Sequence, residues 1–514
     1  MMKGLRVLSV TRDSRHVAQL LDAAADEWPQ RPALACGRER MTWADLRERV
    51  DRLAQGLASR GLRPGDPVAL LLPNVPAFAI SFLAGARIGA VVVPLNPQLK
   101  KAELAFYFRD CGVRAVITDR PSICHAIVPR ASRWGEAAEI FTTGGAPGPL
   151  SVDSLMEDHA PSAFEGPASG EDAIFQYSSG STGRPKRVPR THRQLCSEAD
   201  SFVATTGLTA ADTIFCSIPL FHTYGLGCCL LAAVRSGATL AMPDGAGPLV
   251  LGRERILRAL ERDRASVFPA VPFTFRLLAE AVGGADLSAI RLCFSAGSAL
   301  PRSTFDAFDR RFGIPIRQLY GCTETGAVTV NLDADPWTTA ASVGRPIQDV
   351  RVEIRDTAGN TLEVGRIGEI AIGSPAMTRG YAGVEEQINR QALPDGWFLT
   401  GDRGRLDEAG RLSITGRRKL LIDVQGDKVD PIEVEDVLAV HPKVREVVVV
   451  GVESGVDGVQ TVKAIVVPDG SCGERELVRF CRERLANYKV PQMVEFRDEI
   501  PKSSLGKVLR KQLV

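Results

Sequence analysis

The sequence lacks the cysteine patterns that mark a disulfide-stapled domain or a zinc site. Its eleven cysteines are scattered along 514 residues, their number is odd, and none of them forms a C-x-x-C pair. Cysteines spaced in this way are expected to be reduced thiols, most of them buried. The pattern therefore excludes a small disulfide framework and a zinc ribbon.

Long apolar runs are missing as well. The most membrane-like stretch, residues 78–95, is interrupted by Gly85, Arg87 and Gly89. It therefore predicts a buried helix and strand rather than a membrane span. The apolar run at residues 7–10 is too short for the core of a signal peptide. The cytoplasm is the expected location.

Neither sign of charge is in excess, because 63 basic residues face 61 acidic ones. The composition thus predicts neither a nucleic-acid partner nor an attraction to anionic membranes. We find no internal repeat, heptad pattern or low-complexity run. What is present is ordinary for a globular protein, with 45% hydrophobic and 24% charged residues. The length exceeds what one hydrophobic core usually supports, so two or more domains are expected.

Hydrophobic periodicity alternates between helix and strand over the first two thirds of the chain. Predicted helices include residues 22–28, 43–56, 76–88, 253–262 and 273–281. Predicted strands include residues 67–72, 90–95, 114–118, 213–217, 238–242, 266–269 and 291–295. This alternation predicts an α/β domain in which parallel-rich sheets are flanked by helices.

The pattern changes near residue 350. Strand-like segments at 350–355 and 368–373 and a hairpin at 401–415 predict a β-rich subdomain. Strands at 446–452 and 461–468 and a helix at 474–486 then predict a small α+β domain at the C-terminus. About a hundred residues are enough for such a domain.

The sharpest chemical signal is a hydroxyl- and glycine-rich loop that closes on Lys186. It reads Tyr177-Ser178-Ser179-Gly180-Ser181-Thr182-Gly183-Arg184-Pro185-Lys186. Glycines let backbone amides approach phosphate oxygens, hydroxyls add donors, and the lysine supplies positive charge. The loop is not the Walker pattern, because a proline precedes Lys186 and no serine or threonine follows it. By composition alone it could also be a flexible connection.

This loop closely resembles the phosphate loop of the adenylate-forming (AMP-binding) superfamily, which includes acyl- and aryl-CoA ligases, peptide adenylation domains and beetle luciferases. Four further segments follow in that superfamily's order, PLFHTYGL at 219–226, YGCTETG at 320–326, GWFLTGD at 396–402 and PKSSLGK at 501–507. The resemblance implies an adenylation core at 1–416, a hinge at 417–420 and a small mobile lid domain at 421–514. It also implies ATP, Mg²⁺ and CoA, or a carrier-protein phosphopantetheine, as cofactors.

The resemblance assigns nucleotide contacts to named residues. Glu324 is expected to hold Mg²⁺ against the triphosphate, since Mg²⁺ favours one or two carboxylates together with phosphates and water. Asp402 is expected at the ribose and Arg417 at the ribose or a phosphate, because a carboxylate and a guanidinium both suit an oxygen-rich ligand. Without the resemblance, Glu324 would more often be a solvated turn residue and Arg417 surface charge. The other expected nucleotide contacts are Ser179, Gly180, Ser181, Thr182, Gly183, Lys186, Gly297, Ser298, Ala299, Tyr320, Gly321 and Thr323.

Catalysis and domain movement are assigned in the same way. Lys507 matches the adenylation lysine, which neutralises charge while the carboxylate attacks the α-phosphate. Thr182, Glu324 and His222 are grouped with it as catalytic residues. Lys419 matches the hinge, and Gly426 matches the loop that faces the large domain in the thiol step. A swing of this kind lets one site serve two reactions.

The residues around His222 indicate the class of acid. The Phe-His-x-x-Gly pattern resembles that of acyl- and aryl-acid members, although a lone histidine is more often structural. No acidic residue lies between Asp212 and Asp244 to pair with the ammonium of an amino acid. Gly225 and Gly227 provide either room for an apolar acyl or aryl group or close helix packing. The expected substrate is a fatty or aryl acid.

Two positions depart from the superfamily pattern. Arg187 stands where glycine is common, which leaves the local loop conformation open, and Asp423 stands where luciferases have lysine. The leading hypothesis is an AMP-forming acid–thiol ligase that makes acyl-AMP and then acyl-CoA. The alternatives are loading of a carrier-protein phosphopantetheine, a luciferase-like oxidative enzyme, and an adenylate-binding protein without catalysis.

Overall fold

A computed structural model of the chain describes residues 16–127, 138–144, 150–162, 164, 166–168, 170–178, 185–244, 249–417, 421–455, 459–501, 508, 510 and 513. For residues 249–251 and 417 it describes the backbone only. Within these ranges no helix has the length and apolar character needed to cross a bilayer. The eleven cysteines all lie in these ranges as free thiols, and eight of them are buried, as the sequence predicts.

Strands and helices alternate through the large domain. Its strands are Pro32–Cys36 (β1), Glu39–Thr42 (β2), Pro67–Leu71 (β3), Val91–Pro94 (β4), Ala115–Thr118 (β5), Glu139–Thr142 (β6), Asp172–Ser178 (β7), Lys186–Thr191 (β8), Thr213–Phe215 (β9), Thr239–Met242 (β10), Val267–Ala270 (β11), Leu292–Ser295 (β12), Ile316–Cys322 (β13), Gly326–Val330 (β14) and Arg345–Pro346 (β15). Its α-helices are Val17–Glu27 (α1), Trp43–Ser59 (α2), Pro76–Arg87 (α3), Lys101–Cys111 (α4), Pro121–His125 (α5), Val152–Asp158 (α6), His192–Thr206 (α7), Thr223–Gly225 (α8), Ala232–Ser236 (α9), Leu249–Arg262 (α10), Pro272–Ala279 (α11) and Arg302–Phe312 (α12). A π-helical turn, Leu226–Leu231, joins α8 to α9.

These strands form two sheets. The six-stranded sheet has the order β6-β5-β3-β4-β7-β8 and is parallel except for the β7–β8 pair. The nine-stranded sheet has the order β15-β14-β13-β12-β11-β9-β10-β1-β2 and is parallel from β13 to β1. Inner strands such as β4 and β5 are buried along their whole length, as expected for parallel strands covered by helices. The predicted α/β fold is confirmed.

The membrane-like stretch is a core helix followed by a buried strand. In α3 every residue from Phe78 to Arg87 is buried. The charge of Arg87 is matched by Asp22, whose two carboxylate oxygens accept from its guanidinium at 2.6 Å each. A further ion pair joins Arg87 to Asp51 at 2.9 Å. A buried arginine is tolerated here because two carboxylates match its charge.

A β-rich subdomain and a small α+β domain complete the chain. The subdomain contains the antiparallel strands Arg351–Arg355 (β16), Gly368–Gly373 (β17), Phe398–Leu406 (β18) and Leu412–Arg417 (β19), with the helix Glu386–Ala392 (α13). The small domain contains Ile422–Val424 (β20), Asp427–Val429 (β21), Pro431–Ala439 (α14), Val444–Glu453 (β22), Gln460–Pro468 (β23), Glu474–Arg482 (α15) and Met493–Phe496 (β24). Its core packs the two helices on the three-stranded β22-β23-β24 sheet and on β20-β21.

The small domain contacts the large domain through a buried ion cluster and an apolar patch. Lys489 Nζ lies 2.8 Å from Glu103 Oε1 of the large domain and 2.7 Å from Glu433 Oε1 of its own domain. Burial alone would lower the pKa of Lys489, but the surrounding acidic groups hold it well above its ordinary value. In the apolar patch, Val459 packs against Phe273 and Leu277.

The β1–β2 hairpin was not predicted from the sequence. Leu34 of β1 lies opposite Leu240 of β10. The hairpin therefore joins the nine-stranded sheet through a strand that is distant in the sequence. Its polar turn and short strands carry little local periodicity. Some predicted helices also differ at their ends. The first helix begins at Val17 rather than at Asp22, and the last long helix ends at Arg482 rather than near residue 486.

Candidate active site

A cavity of about 690 Å³ lies between the large and the small domain. The large domain contributes residues at or just beyond the carboxyl ends of β4, β7, β12 and β13, together with the segment that leads into α8. Loops meet at the carboxyl ends of parallel strands, and motifs that are distant in sequence come together there. The small domain contributes Leu421, Gly426, Asp427, Lys428, Asp430, Glu433, Tyr488 and Lys489.

Lys186 and Glu324 meet at this cavity on either side of Tyr381. Lys186 Nζ lies 4.8 Å from the centre of the Tyr381 ring, and the Tyr381 hydroxyl donates to Glu324 Oε1 at 2.8 Å. The backbone N–H of Thr378 donates to the carbonyl of Glu324 at 2.8 Å, which fixes the turn. Burial and the Glu324 carboxylate raise the pKa of Tyr381. Its hydroxyl therefore stays protonated and holds the carboxylate in place.

The donor set around Glu324 fits a magnesium ion that arrives with a triphosphate. Among the described residues there is no group of three or more histidine, cysteine, aspartate or glutamate side chains that could form a metal cage. Glu324 is buried, and the Tyr381 bond uses only one lone pair of its carboxylate. One carboxylate completed by phosphate oxygens and water is an ordinary Mg²⁺ environment.

Asp402 is held at the cavity wall by a tyrosine. The hydroxyl of Tyr320 donates to Asp402 Oδ2 at 2.7 Å, and the backbone N–H of Asp402 donates to Thr400 Oγ1 at 3.0 Å. Arg417 lies directly opposite Asp402 in the β18–β19 ladder, so these two residues, both expected to contact the nucleotide, are neighbours through the backbone. The side chain of Arg417 lies outside the described part of the structure.

The loop expected at the adenine base begins where β12 ends. Gly297 has a φ of 87°, a conformation that favours glycine, and it lines the cavity together with Gly321 and Thr323. Ser298 is half-buried and Ala299 is exposed. These two are not among the residues that line the cavity.

His222 begins the short helix α8 and is open to the cavity. Its Nδ1 accepts a hydrogen bond from the backbone N–H of Tyr224 at 3.2 Å. Desolvation of the ring within the cavity lowers the pKa of His222 to about 4, and the charge of Lys428 contributes to the shift. The imidazole is therefore neutral at pH 7 and carries its proton on Nε2.

Gly225 and Gly227 lie behind the cavity wall. A Cβ at Gly225 would lie 2.3 Å from the carbonyl oxygen of Pro219, and one at Gly227 would lie 2.1 Å from Glu198 Oε1. Close packing, the second interpretation that the sequence allows, accounts for both glycines. The wall in this region is formed by Thr223, Tyr224 and Cys228.

The turn between β20 and β21 brings Gly426 to the cavity. Gln425 and Gly426 have φ values of 58° and 100°. Asp423 Oδ1 accepts from the backbone N–H of Gly426 at 2.7 Å, and Asp423 Oδ2 pairs with Lys428. A Cβ at Gly426 would lie 3.2 Å from Val271 Cγ2 of the large domain. Asp423, a departure from the superfamily pattern, thus shapes the turn that approaches the large domain.

Comparison with protein families identifies the chain. The family model described as AMP-binding enzyme matches residues 21–382, and that described as AMP-binding enzyme C-terminal domain matches residues 433–507. The chain is an AMP-binding enzyme. The resemblance to the adenylate-forming superfamily that the five motifs indicated is confirmed.

Similar proteins match this AMP-binding enzyme along nearly its whole length. The long-chain-fatty-acid–CoA ligase FadD13 of Mycobacterium tuberculosis is 32% identical over 480 residues, 92% of each chain. Feruloyl-CoA synthase of Amycolatopsis sp is 33% identical over 488 residues, 94% of this chain and 95% of its own. A solved double mutant of o-succinylbenzoate CoA synthetase from Bacillus subtilis, bound with its product analogue OSB-NCoA, is 28% identical with a TM-score of 0.84, covering 96% of this chain and 97% of that one.

In this AMP-binding enzyme Arg187 ties the strand after the phosphate loop to α4. Its Nη1 donates to the carbonyl of Asp110 at 2.6 Å, and its guanidinium lies 5.0 Å from the centre of the Phe175 ring. The backbone N–H of Ala382 donates to the carbonyl of Arg187 at 2.9 Å. These contacts give the side chain a structural role beside the phosphate loop.

Seven residues that the sequence assigns to the site lie outside the described residues, and their roles stay predictions. They are Ser179, Gly180, Ser181, Thr182, Gly183, Lys419 and Lys507. Their described neighbours Ser178 and Lys186 line the cavity. The phosphate loop thus begins and ends at this site.

Sequence reasoning missed a buried polar cluster at the wall formed by α7 and α8. Arg190 Nη1 donates to Glu198 Oε2 at 2.6 Å, and Glu198 lines the cavity together with Gln176. A charged residue on an amphipathic helix is usually read as solvent-facing. The one signal in the sequence that Glu198 is buried is its position among the apolar residues of α7.

Proposed function

We propose that this AMP-binding enzyme is an acid–thiol ligase that activates a fatty or aryl acid with ATP and transfers the acyl group to CoA. In the first step a carboxylate oxygen attacks the α-phosphorus and pyrophosphate leaves. In the second step the CoA sulfur attacks the acyl carbon, the thiol proton passes to solvent, and AMP leaves. One observation carries the proposal: a single cavity is lined by Lys186, Glu324, Asp402, His222 and Gly426.

The first step needs charge stabilisation rather than covalent help from the protein. Lys186 would neutralise phosphate charge, and Glu324 would hold Mg²⁺, which shields the triphosphate when bound. Asp402 would accept hydrogen bonds from the ribose hydroxyls. Lys507 would neutralise the charge that develops at the α-phosphate. Removing one such contact typically slows the chemical step by about 10² to 10³.

His222 is proposed to orient the acid. Its neutral ring donates from Nε2, because Nδ1 already accepts from Tyr224. A neutral donor holds a carboxylate in position without forming the ion pair that would weaken it as a nucleophile. We therefore expect His222 to act by orientation and not as a general base.

The acceptor thiol is proposed to approach past Gly426. The missing side chain there leaves space between the turn and Val271 of the large domain. We propose that the small domain turns about Lys419 between the two steps, within the limits 1–416, 417–420 and 421–514. Because CoA and a carrier protein share the pantetheine arm, the same approach would serve either. The relatives named CoA ligases favour CoA.

A panel of fatty, aryl and dicarboxylic acids tests the proposal. Pyrophosphate release is measured with ATP and Mg²⁺, and thioester formation is followed with CoA or with a phosphopantetheinylated carrier protein. We expect acid-dependent pyrophosphate release, and acyl-CoA and AMP only when CoA is added. Thioester on the carrier protein alone would favour the carrier alternative, and oxygen-dependent light would favour the luciferase-like one. No acid-dependent release from any acid would contradict the proposal.

Lys507→Ala separates the two steps. We expect it to abolish formation of the acyl-adenylate and to leave transfer from a supplied acyl-adenylate largely intact, because the lysine acts only on the phosphate. Lys443→Ala, an exposed lysine of the same domain, is the matched control and should leave both steps unchanged. Equal loss of both steps in Lys507→Ala would refute the assignment.

A further inference from the structure

One wall of the cavity is polar where a pocket for a plain fatty acid would be apolar. Gln176 on β7 and Glu198 on α7 both line the cavity although they are only 3% and 1% exposed. Arg190, which is fully buried, lies behind them on β8. Its Nη1 donates to Glu198 Oε2 at 2.6 Å and its Nη2 donates to Gln176 Oε1 at 3.3 Å. None of the three has a role in the phosphate chemistry proposed above.

The neighbours of Gln176 fix the direction of its amide. Arg190 can only donate, and Thr223 Oγ1 donates to the same Oε1 at 3.0 Å, so the amide oxygen faces both groups. The amide nitrogen therefore points away from them, and Nε2 has no hydrogen-bond partner among the described residues. An unpaired buried donor is unfavourable. Gln176 thus carries, at the cavity wall, a buried donor that no described residue pairs.

Glu198 provides a matching acceptor beside it. Its Oε1 accepts from the backbone N–H of Ala327 at 3.2 Å, and Oε2 accepts from Arg190, so lone pairs remain on the carboxylate. The carboxylate is pressed against Gly227 and Gly326, where a Cβ would lie 2.1 Å and 2.3 Å from its atoms. A side chain at either position would clash with the Glu198 carboxylate, so glycine is needed at both for the carboxylate to lie at the wall.

Charge and hydrogen bonding narrow the ligand that suits this wall. The Arg190 charge is already matched by Glu198, so the pair offers no net positive charge to a second carboxylate. An alkyl chain would cover Gln176 Nε2 without pairing it. A hydroxyl group accepts from Gln176 Nε2 and donates to Glu198 at the same time. An amino group donates well but is a poorer acceptor when conjugated to an aromatic ring.

We propose that Gln176 and Glu198 select an acid that carries a hydroxyl group on its acyl or aryl part, in preference to a plain fatty acid or a dicarboxylic acid. This inference rests on the proposed ligase function and names the substrate class of the same site. A site that hydrogen-bonds a substrate hydroxyl discriminates strongly against the analogue that lacks it, because its own polar groups are then left unpaired.

Matched pairs of acids test the proposal on the unaltered enzyme. Pyrophosphate release is measured for cinnamate and its 2-, 3- and 4-hydroxy isomers, for 3-aminocinnamate, and for decanoate, 10-hydroxydecanoate and sebacate. We expect at least one hydroxylated acid to exceed its parent in kcat/KM by about tenfold or more. If an unsubstituted parent acid, 3-aminocinnamate or sebacate has a kcat/KM equal to or above that of every hydroxylated acid, this inference is overturned while the ligase function stands. No release with any acid would overturn the ligase function itself, and this inference with it.

Gln176→Leu removes the donor at nearly constant volume, and Gln176→Met is a second variant should the first fold poorly. We expect either to lower the hydroxyl preference, the ratio of kcat/KM for a hydroxylated acid to that for its parent, by about tenfold. Gln318→Leu is the matched control, because Gln318 is also buried but binds the carbonyl of Ala340 away from the cavity. It should lose stability without losing the preference. An unchanged preference in both Gln176 variants would overturn the assignment.

Discussion

Replacing Lys489 with methionine tests whether the buried ion cluster between the domains supports the thiol step. Lys489 is 4% exposed, and its Nζ lies 2.8 Å from Glu103 and 2.7 Å from Glu433. Methionine keeps an unbranched chain but removes the charge. In the arrangement of domains described here, two buried carboxylates would then face each other without a cation between them.

The size of the effect follows from the burial of the cluster. Removing one partner of a buried ion pair costs about 3–5 kcal/mol, since the remaining charge is uncompensated. In the proposed movement of the small domain, Glu103 and Glu433 would regain water, so the cost would fall mainly on the arrangement seen here. Taking the lower value of about 3 kcal/mol, the population of that arrangement relative to the other falls by about 10².

Separate assays of the two steps give the readout. Transfer from a supplied acyl-adenylate to CoA, followed by rapid quench, should slow by up to about 10², while acid-dependent pyrophosphate exchange should change by less than about threefold. Lys443→Met is the control. Its side chain is 44% exposed and pairs with Glu476 at 3.0 Å, and exposed pairs contribute at most about 1 kcal/mol.

Two results would refute this reasoning. Equal slowing of both steps would mean that Lys489 supports the fold and not one arrangement of the domains. Unchanged transfer would mean that the thiol step does not use the arrangement held by this cluster. The double variant Lys489→Met/Glu103→Gln should recover part of the lost transfer rate, because one uncompensated charge is removed.

Substitutions of Asp402, His192 and Asp423 give three more tests. Asp402→Asn should raise KM for ATP by about tenfold with little change in KM for the acid, since the charged acceptor for the ribose is lost; an unchanged KM for ATP in steady-state kinetics would contradict its role. Burial lowers the pKa of His192 to about 3, whereas an unfolded histidine takes up its proton near pH 6.5. Stability therefore falls as pH drops below 6.5, by about 2 kcal/mol between pH 7 and pH 5. His192→Asn should show a shallower pH dependence in urea unfolding, and an identical slope would contradict it. Asp423→Ala frees the Gly426 turn and should slow thiol transfer by about tenfold; equal rates in a rapid-quench comparison would show that the turn needs no such support.

The sequence predicts the fold best where structure depends on neighbours along the chain. The helices at Trp43–Ser59 and Pro76–Arg87 and the buried strands that follow them have strong periodicity and lie close to where it predicts them. The β1–β2 hairpin could not be placed, because its partner β10 lies about two hundred residues away and the pairing depends on the assembled sheet. The register between strands that are distant in the chain depends on how the layers pack, and local sequence periodicity does not encode it.

The candidate site shows the same division. Lys186, Glu324 and Asp402 stand in ordered motifs, and the structure brings all three to one cavity. Tyr381 could not be predicted, because its role depends on a hydroxyl that reaches Glu324 across 57 positions of the chain. Arg190 and Glu198 are eight positions apart, a spacing that local rules for helical ion pairs do not cover. Burial turned these charges from surface features into parts of a binding wall.

The division of the cavity between two domains has a consequence for how such enzymes diversify. The wall with Gln176, Glu198 and Thr223, which we propose contacts the acid, belongs to the large domain, whereas the turn at Gly426 belongs to the small one. Under the proposed function, the choice of acid and the choice of acceptor are encoded in separable stretches of the gene. Recombination between relatives within residues 417–420 would exchange one choice and keep the other. The ion cluster of Lys489 with Glu103 sets the compatibility that such a hybrid must preserve.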